Sequence, residues 1–108
     1  MPLDSTNFVE AKPDSQVVTD LLAVRKRIER EEDWCGDQIG GRRGEAMCLG
    51  YAMLSITGTA GAYQTHRFAA IEAAMGLRGS QIVDFNDTHT HAEVLDLIDR
   101  TIARERGA

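Results

Sequence analysis

Residues 46–56 read Ala-Met-Cys-Leu-Gly-Tyr-Ala-Met-Leu-Ser-Ile, apolar on nearly every side. A run of this length without period-two alternation predicts a helix buried all round, rather than a strand or a surface helix. Gly50 within it predicts the close approach of another backbone. A helix apolar around its whole circumference needs covering, so the flanking segments should supply amphipathic partners.

They do. Upstream, Val17, Leu21, Val24 and Ile28 recur at helical spacing, and Val18 and Leu22 widen the stripe. Asp20, Arg27 and Glu31 fall on the opposite face. Asp14 or Ser15 can cap the first turn, and the helix should end near Glu32. Downstream, Phe68, Ile71 and Met75 form the stripe of a third helix, capped by Thr65 and stopped by Gly76. The last helix opens with Thr90-His91-Ala92-Glu93, a capping box in which the Thr side chain caps and the Glu reaches back. Val94, Leu95, Ile98 and Ile102 make its core face.

Between the first two helices, Trp34 to Glu45 reads as a loop or hairpin. Gly40-Gly41 is a two-residue turn signal, with Asp37-Gln38-Ile39 and Arg42-Arg43 as arms. Thr57 to Ala62 is a Gly/Thr/Ala-rich connection. Ile82 to Phe85 reads as a short extended piece, and Asn86-Asp87 as a turn, because both side chains can bond their own backbone. The expected fold is therefore mainly α, with minor β: four helices and a short β-hairpin inserted between helices 1 and 2. Residues 1–13 form a flexible, irregular N-terminal arm containing Pro2 and Pro13, and residues 14–108 one globular domain near the commonest domain size.

The net charge of −5 argues against nucleic acid, whose binding proteins neutralise phosphates with Lys and Arg. No stretch approaches the roughly 20 apolar residues that span a bilayer. Met1 to Lys12 lacks the basic flank and apolar centre of a signal peptide, so a cytoplasmic location with reduced cysteines is expected.

Three constellations carry chemistry. Cys48 lies at the start of the buried run, where a thiol paired with His89 or His91 has the minimum parts of a nucleophilic site. The bland alternative is a small buried core residue. His89 and His91 also have weak metal-ligand character, with Asp84, Asp87 or Cys35 to complete a tetrahedral set, against a solvated pair beside a helix cap. Cys35 and Cys48 are separated by twelve intervening residues, a spacing unlike a redox motif, which favours packing around Trp34. Trp34, Cys35, Asn86 and Asp87 are the candidate wall of a polar pocket, against a purely structural corner.

Taken in order, the residues resemble a small bacterial and phage domain family of unknown function. Trp34, Cys35 and Gly36, then Cys48, Leu49 and Gly50, then Asn86 and Asp87, then Thr90, Glu93, Val94 and Leu95 carry the resemblance, over roughly residues 17–105. Tyr51 stands where that pattern has Ala, and Phe85 where it has Trp. The resemblance bears on fold and implies no activity. The expected function is non-enzymatic: a protein-binding or regulatory domain from a phage or mobile element, acting on a basic host protein such as a defence component, with no cofactor. The alternative is a cysteine-dependent hydrolase or transferase using Cys48 with His89 or His91. A homodimer in which Leu3 to Val9 docks across the interface is a further expectation.

Overall fold

The computed structural model describes residues 13–36, 42–43, 46–60 and 63–107. Within them the chain is mainly helical: α1 (Gln16–Arg27), α2 (Leu49–Thr57), α3 (His66–Met75), α4 (Ser80–Thr88) and α5 (His91–Glu105). A single 3-10 turn, Glu31–Asp33, follows α1. Two antiparallel ribbons of two-residue strands complete the described elements. In one, β1 (Arg42–Arg43) pairs with β2 (Ala46–Met47); in the other, β3 (Thr59–Ala60) pairs with β4 (Tyr63–Gln64).

The local signals set several boundaries. The Ser15 hydroxyl accepts from Val18 N at 3.2 Å and starts α1. Thr65 caps α3, and Gly76 ends it in the left-handed region at φ 77°. Both halves of the α5 capping box are present: Glu93 N donates to Thr90 Oγ1 at 3.1 Å, and Thr90 N donates to Glu93 Oε1 at 2.8 Å.

Four expectations are corrected. The segment Ile82–Phe85 is helical, not extended, and Asn86-Asp87 lies in the last turn of α4, not in a β-turn, so the described residues hold five α-helices instead of four. Ile82, Val83 and Phe85 favour a strand in isolation. Tertiary packing overrides that preference, because residues four apart share a helix face, and Ile82 and Asn86 are both buried while Val83 is exposed. Second, α1 stops at Arg27, short of Glu32, with Ile28 as its cap. Third, Ala46–Met47 is a strand, and the buried helix begins only at Leu49. The ribbon consequently pairs Arg42–Arg43 with Ala46–Met47 and not with 37–39; the expected arm at 37–39 and its turn at 40–41 lie outside the described residues, as do residues 1–12 of the N-terminal arm. Fourth, α2 is not buried all round: Leu49, Ala52, Met53 and Thr57 are buried, Tyr51, Leu54 and Ile56 only partly so, and Ser55 is exposed, so α2 shares the centre with α1. Leu21 and Val24 of α1 are as fully buried as Leu49 and Met53 of α2, and α1 packs against α2, α3 and α5 while α2 packs against α1, α3 and α4.

Asp20 also departs from its expected solvent face. It is 3% exposed and is held by Arg67 of α3 through two bonds, Nε to Oδ2 at 3.0 Å and Nη2 to Oδ1 at 2.6 Å. Gln16 Nε2 adds a third at 2.9 Å. A buried carboxylate persists only when paired and hydrogen-bonded, and this fork-to-fork contact fixes where α3 lies across α1. The Arg67 hydrogen bonds hold the Asp20 carboxyl below its ordinary range, against the opposing effect of burial. A lowered folded pKa contributes stability above the unfolded value of about 3.9 and loses it as pH falls through the folded value. Urea unfolding followed against pH should therefore show stability falling below about pH 4, and Asp20→Asn should flatten that fall. An unchanged acid slope in Asp20→Asn would show that the pair contributes nothing. Asp14 and Glu93, whose carboxyls are lowered by Arg106 and by the Thr90 backbone respectively, leave a residual slope in the same window.

Candidate functional site

The centre of the candidate site is Asn86, whose side chain is wholly buried. A primary amide has two acceptor lone pairs and two N–H donors, and all four are used. Oδ1 accepts from Trp34 Nε1 at 2.7 Å and from Leu49 N at 3.0 Å. Nδ2 donates to the Cys35 carbonyl at 3.0 Å and to Asp87 Oδ1 at 3.2 Å. Indole and peptide N–H groups can only donate and a carbonyl can only accept, so the partners themselves fix which way the amide points. One side chain of α4 thus ties the Trp34–Cys35 segment to the first turn of α2.

That first turn explains why the clamp is needed. The leading N–H groups of a helix have no partner within it. Leu49 N is satisfied by Asn86 Oδ1, and Tyr51 N by the Cys48 sulfur at 3.4 Å. Cys48 therefore takes the N-cap position usually held by Ser, Thr, Asp or Asn. The Trp34–Cys35 segment is also held through its backbone: Trp34 and Met47 form a parallel bridge, and Cys35 N donates to Met47 O at 3.1 Å.

The histidines have other partners. The His91 ring stacks on Trp34, with centroids 5.3 Å apart, and its Nε2 lies 2.6 Å from the Ile28 carbonyl. A carbonyl only accepts, so Nε2 carries the proton. This contact ties the start of α5 to the end of α1. His89 stacks on Phe85 and brings Nδ1 within 2.8 Å of the Phe85 carbonyl. His66 is exposed at the start of α3. Among the described residues, no three His, Cys, Asp or Glu side chains gather as a metal set would require.

The structure thus brings Trp34, Cys35, Asn86 and Asp87 together, as a clamp closed within the core. The cleft beside it, of about 360 Å³, is lined mainly by other residues: Cys48, Gly50, Tyr51, Leu54, Phe68, Gly79, Ser80, Ile82 and Val83. It lies among α2, α3 and α4. Sequence reasoning passed over Val83, Tyr51 and Phe68 as site residues; the signal for Val83 was an apolar residue that becomes exposed once Ile82 and Asn86 are assigned to one helix face. Gly50 needs no special space here, since a Cβ on it would meet Ile82 at an ordinary 3.7 Å.

A bundle of short helices, held by a buried four-bond amide and bearing an apolar cleft, defines a small helical domain with a structural clamp. The chain belongs to the family of unknown function DUF6197, whose model matches residues 12–104. Comparison with curated proteins and with solved structures gives no match. No helix among the described residues is long and apolar enough to cross a membrane.

Proposed function

We propose that this chain is a binding module and that its working surface is the cleft among α2, α3 and α4. The carrying observation is that cleft: its volume lies within the range of natural ligand sites, and its walls are mostly apolar. Val83 on its rim is one of two exposed large hydrophobic side chains among the described residues. On this reading, Trp34, Cys35, Asn86 and Asp87 hold the α2 wall from behind through Leu49 N and do not touch the partner. The engagement of His89 and His91 with backbone carbonyls supports binding over cysteine-dependent catalysis.

The partner is a protein segment that places an apolar side chain in the cleft and carries positive charge around it. Exposed Asp84 beside Val83 and the net charge of −5 favour a basic partner and disfavour nucleic acid. A regulatory protein of a phage or mobile element, acting on a basic host protein, is the specific form of this reading. The test is affinity capture from the native host with the intact chain, Val83→Lys, and Leu22→Lys as a control on the other exposed hydrophobic residue. A partner should be held by the first and third proteins, lost with Val83→Lys, and released at high salt, where the Debye length shrinks to about 3 Å at 1 M. Capture that ignores Val83→Lys would rule out the cleft as the docking surface.

A further inference from the structure

We propose that Cys35 and Cys48 form a dithiol that closes reversibly to a disulfide in the folded chain, making the joint between the Trp34–Cys35 segment and α2 a site of redox modification. The two residues are distant in sequence, but each directly follows one partner of a backbone bridge. Trp34 and Met47 form an isolated parallel bridge, and Cys35 and Cys48 are the residues that directly follow its two partners. The Cys35 N to Met47 O bond at 3.1 Å carries the alignment past the bridge. Trp34 and Cys48 both have extended backbones, at φ −116° and ψ 140° and at φ −77° and ψ 168°, so the two segments keep their course at this point. Asn86 then grips both sides, through the Cys35 carbonyl and through Leu49 N, the residue directly after Cys48.

Neighbouring strands lie about 4.8 Å apart. Disulfides need Cα atoms within about 4.4–6.8 Å of one another, a window that contains the strand spacing at such a bridge. Residues opposite one another in parallel strands present side chains to the same face, and alternation places that face away from the one used by Trp34 and Met47. Both faces are covered: Trp34 and Met47 are half-buried against the core, and both cysteines are buried.

The chemistry balances with a low-molecular-weight disulfide as oxidant. One cysteine thiolate attacks a sulfur of the small disulfide, forming a mixed disulfide and releasing one small thiolate. The second cysteine thiolate attacks the protein sulfur of that mixed disulfide, forming the Cys35–Cys48 bond and releasing the second small thiolate. The chain loses two electrons and two protons, and the small disulfide becomes two small thiols. Both sulfurs are buried, so exchange proceeds through local opening, and its end state is set by equilibrium, not by access. Cys48 also lines the cleft, so closing the bond alters one wall of the surface proposed for binding, although the dithiol itself does not depend on that reading.

The test equilibrates the full chain with graded ratios of oxidised to reduced glutathione, under native conditions and in urea, then traps the thiols by alkylation in denaturant. The native chain should lose two hydrogens in intact mass, yield a Cys35–Cys48 cross-linked peptide, and reach half-oxidation at a ratio roughly tenfold or more below that of the unfolded chain, because folding raises the effective concentration of one thiol at the other. Cys35→Ser and Cys48→Ser should each give only mixed disulfides with glutathione or remain reduced. A native chain that needs as much oxidant as the unfolded chain, or more, overturns the proposal. So does a native product carrying two glutathiones in place of the internal bond.

Discussion

Replacing Asn86 with alanine should cost about 3–5 kcal/mol. Four groups lose a bond at once: Trp34 Nε1, Leu49 N, the Cys35 carbonyl and Asp87 Oδ1. Leu49 is fully buried and Cys35 nearly so, and leaving a buried donor or acceptor unsatisfied costs about 1–3 kcal/mol each. A water molecule entering the vacated space would recover part of this, which keeps the total below the simple sum. Against a typical whole-domain stability of about 5–15 kcal/mol, the loss lowers the urea midpoint severely. Asn86→Asp discriminates the clamp from mere space-filling. The introduced carboxyl is nearly isosteric and can still accept from Trp34 and Leu49, but its second oxygen faces the Cys35 carbonyl and Asp87 Oδ1. When protonated, its single O–H can donate to one of these two oxygens; when ionised it repels both. Its folded pKa is therefore raised, so the penalty is small below about pH 4 and grows as pH rises. That slope is opposite in sign to the one Asp20 gives the native chain. Equal destabilisation of Asn86→Asp at pH 4 and pH 7 would show that the donor half of the clamp carries no weight.

The parts of this fold that were legible in the sequence are those decided within one or two turns. Thr90 with Glu93, Thr65, Ser15 and Gly76 each act on backbone groups no more than four residues away, and each sits where its residue type predicts. The parts that were not legible depend on distant partners. Asp20 looks like a surface residue on the α1 helical wheel until Arg67, 47 positions away, reaches it. The segment Ile82–Phe85 looks like a strand, and Asn86-Asp87 like a turn, because intrinsic preference favours both. Asn is a poor residue for a helix interior, since its side chain competes for backbone groups. In α4 that tendency is satisfied at long range, by Trp34 at separation 52 and Leu49 at separation 37. The candidate site shows the same division. That Trp34, Cys35 and Asn86 belong near one another was readable from their types and order. That the amide bonds four partners in the core, and that the open cleft lies beside it along Tyr51, Phe68 and Val83, was not, because both follow from the helical state of α4.

Gly36→Ala should destabilise the chain by about 3 kcal/mol, the upper end of the usual overpacking range. The backbone of Gly36 does not lie in the left-handed region, so alanine meets no conformational bar there. Taken alone, the change would even stabilise slightly by restricting the unfolded chain. The cost comes from the space. A Cβ at this position overlaps Trp34 Cη2, lies 2.7 Å from Cζ2 and 3.1 Å from Cζ3. The indole cannot yield freely, because its Nε1 is bonded to Asn86 at 2.7 Å and its face is stacked on His91. Moving the ring breaks the clamp, and moving the backbone instead strains the Cys35 N to Met47 O bond. A double-mutant cycle isolates this mechanism. In a Trp34→Phe background the outer ring atoms that collide are gone, so the added methyl should cost less than about 0.5 kcal/mol, and the coupling between the two positions should exceed about 2 kcal/mol. Far-UV circular dichroism in urea gives all four stabilities without relying on the single tryptophan. Additive effects would mean that the glycine is required for its own backbone and that the indole is not the fixed wedge the clamp makes it.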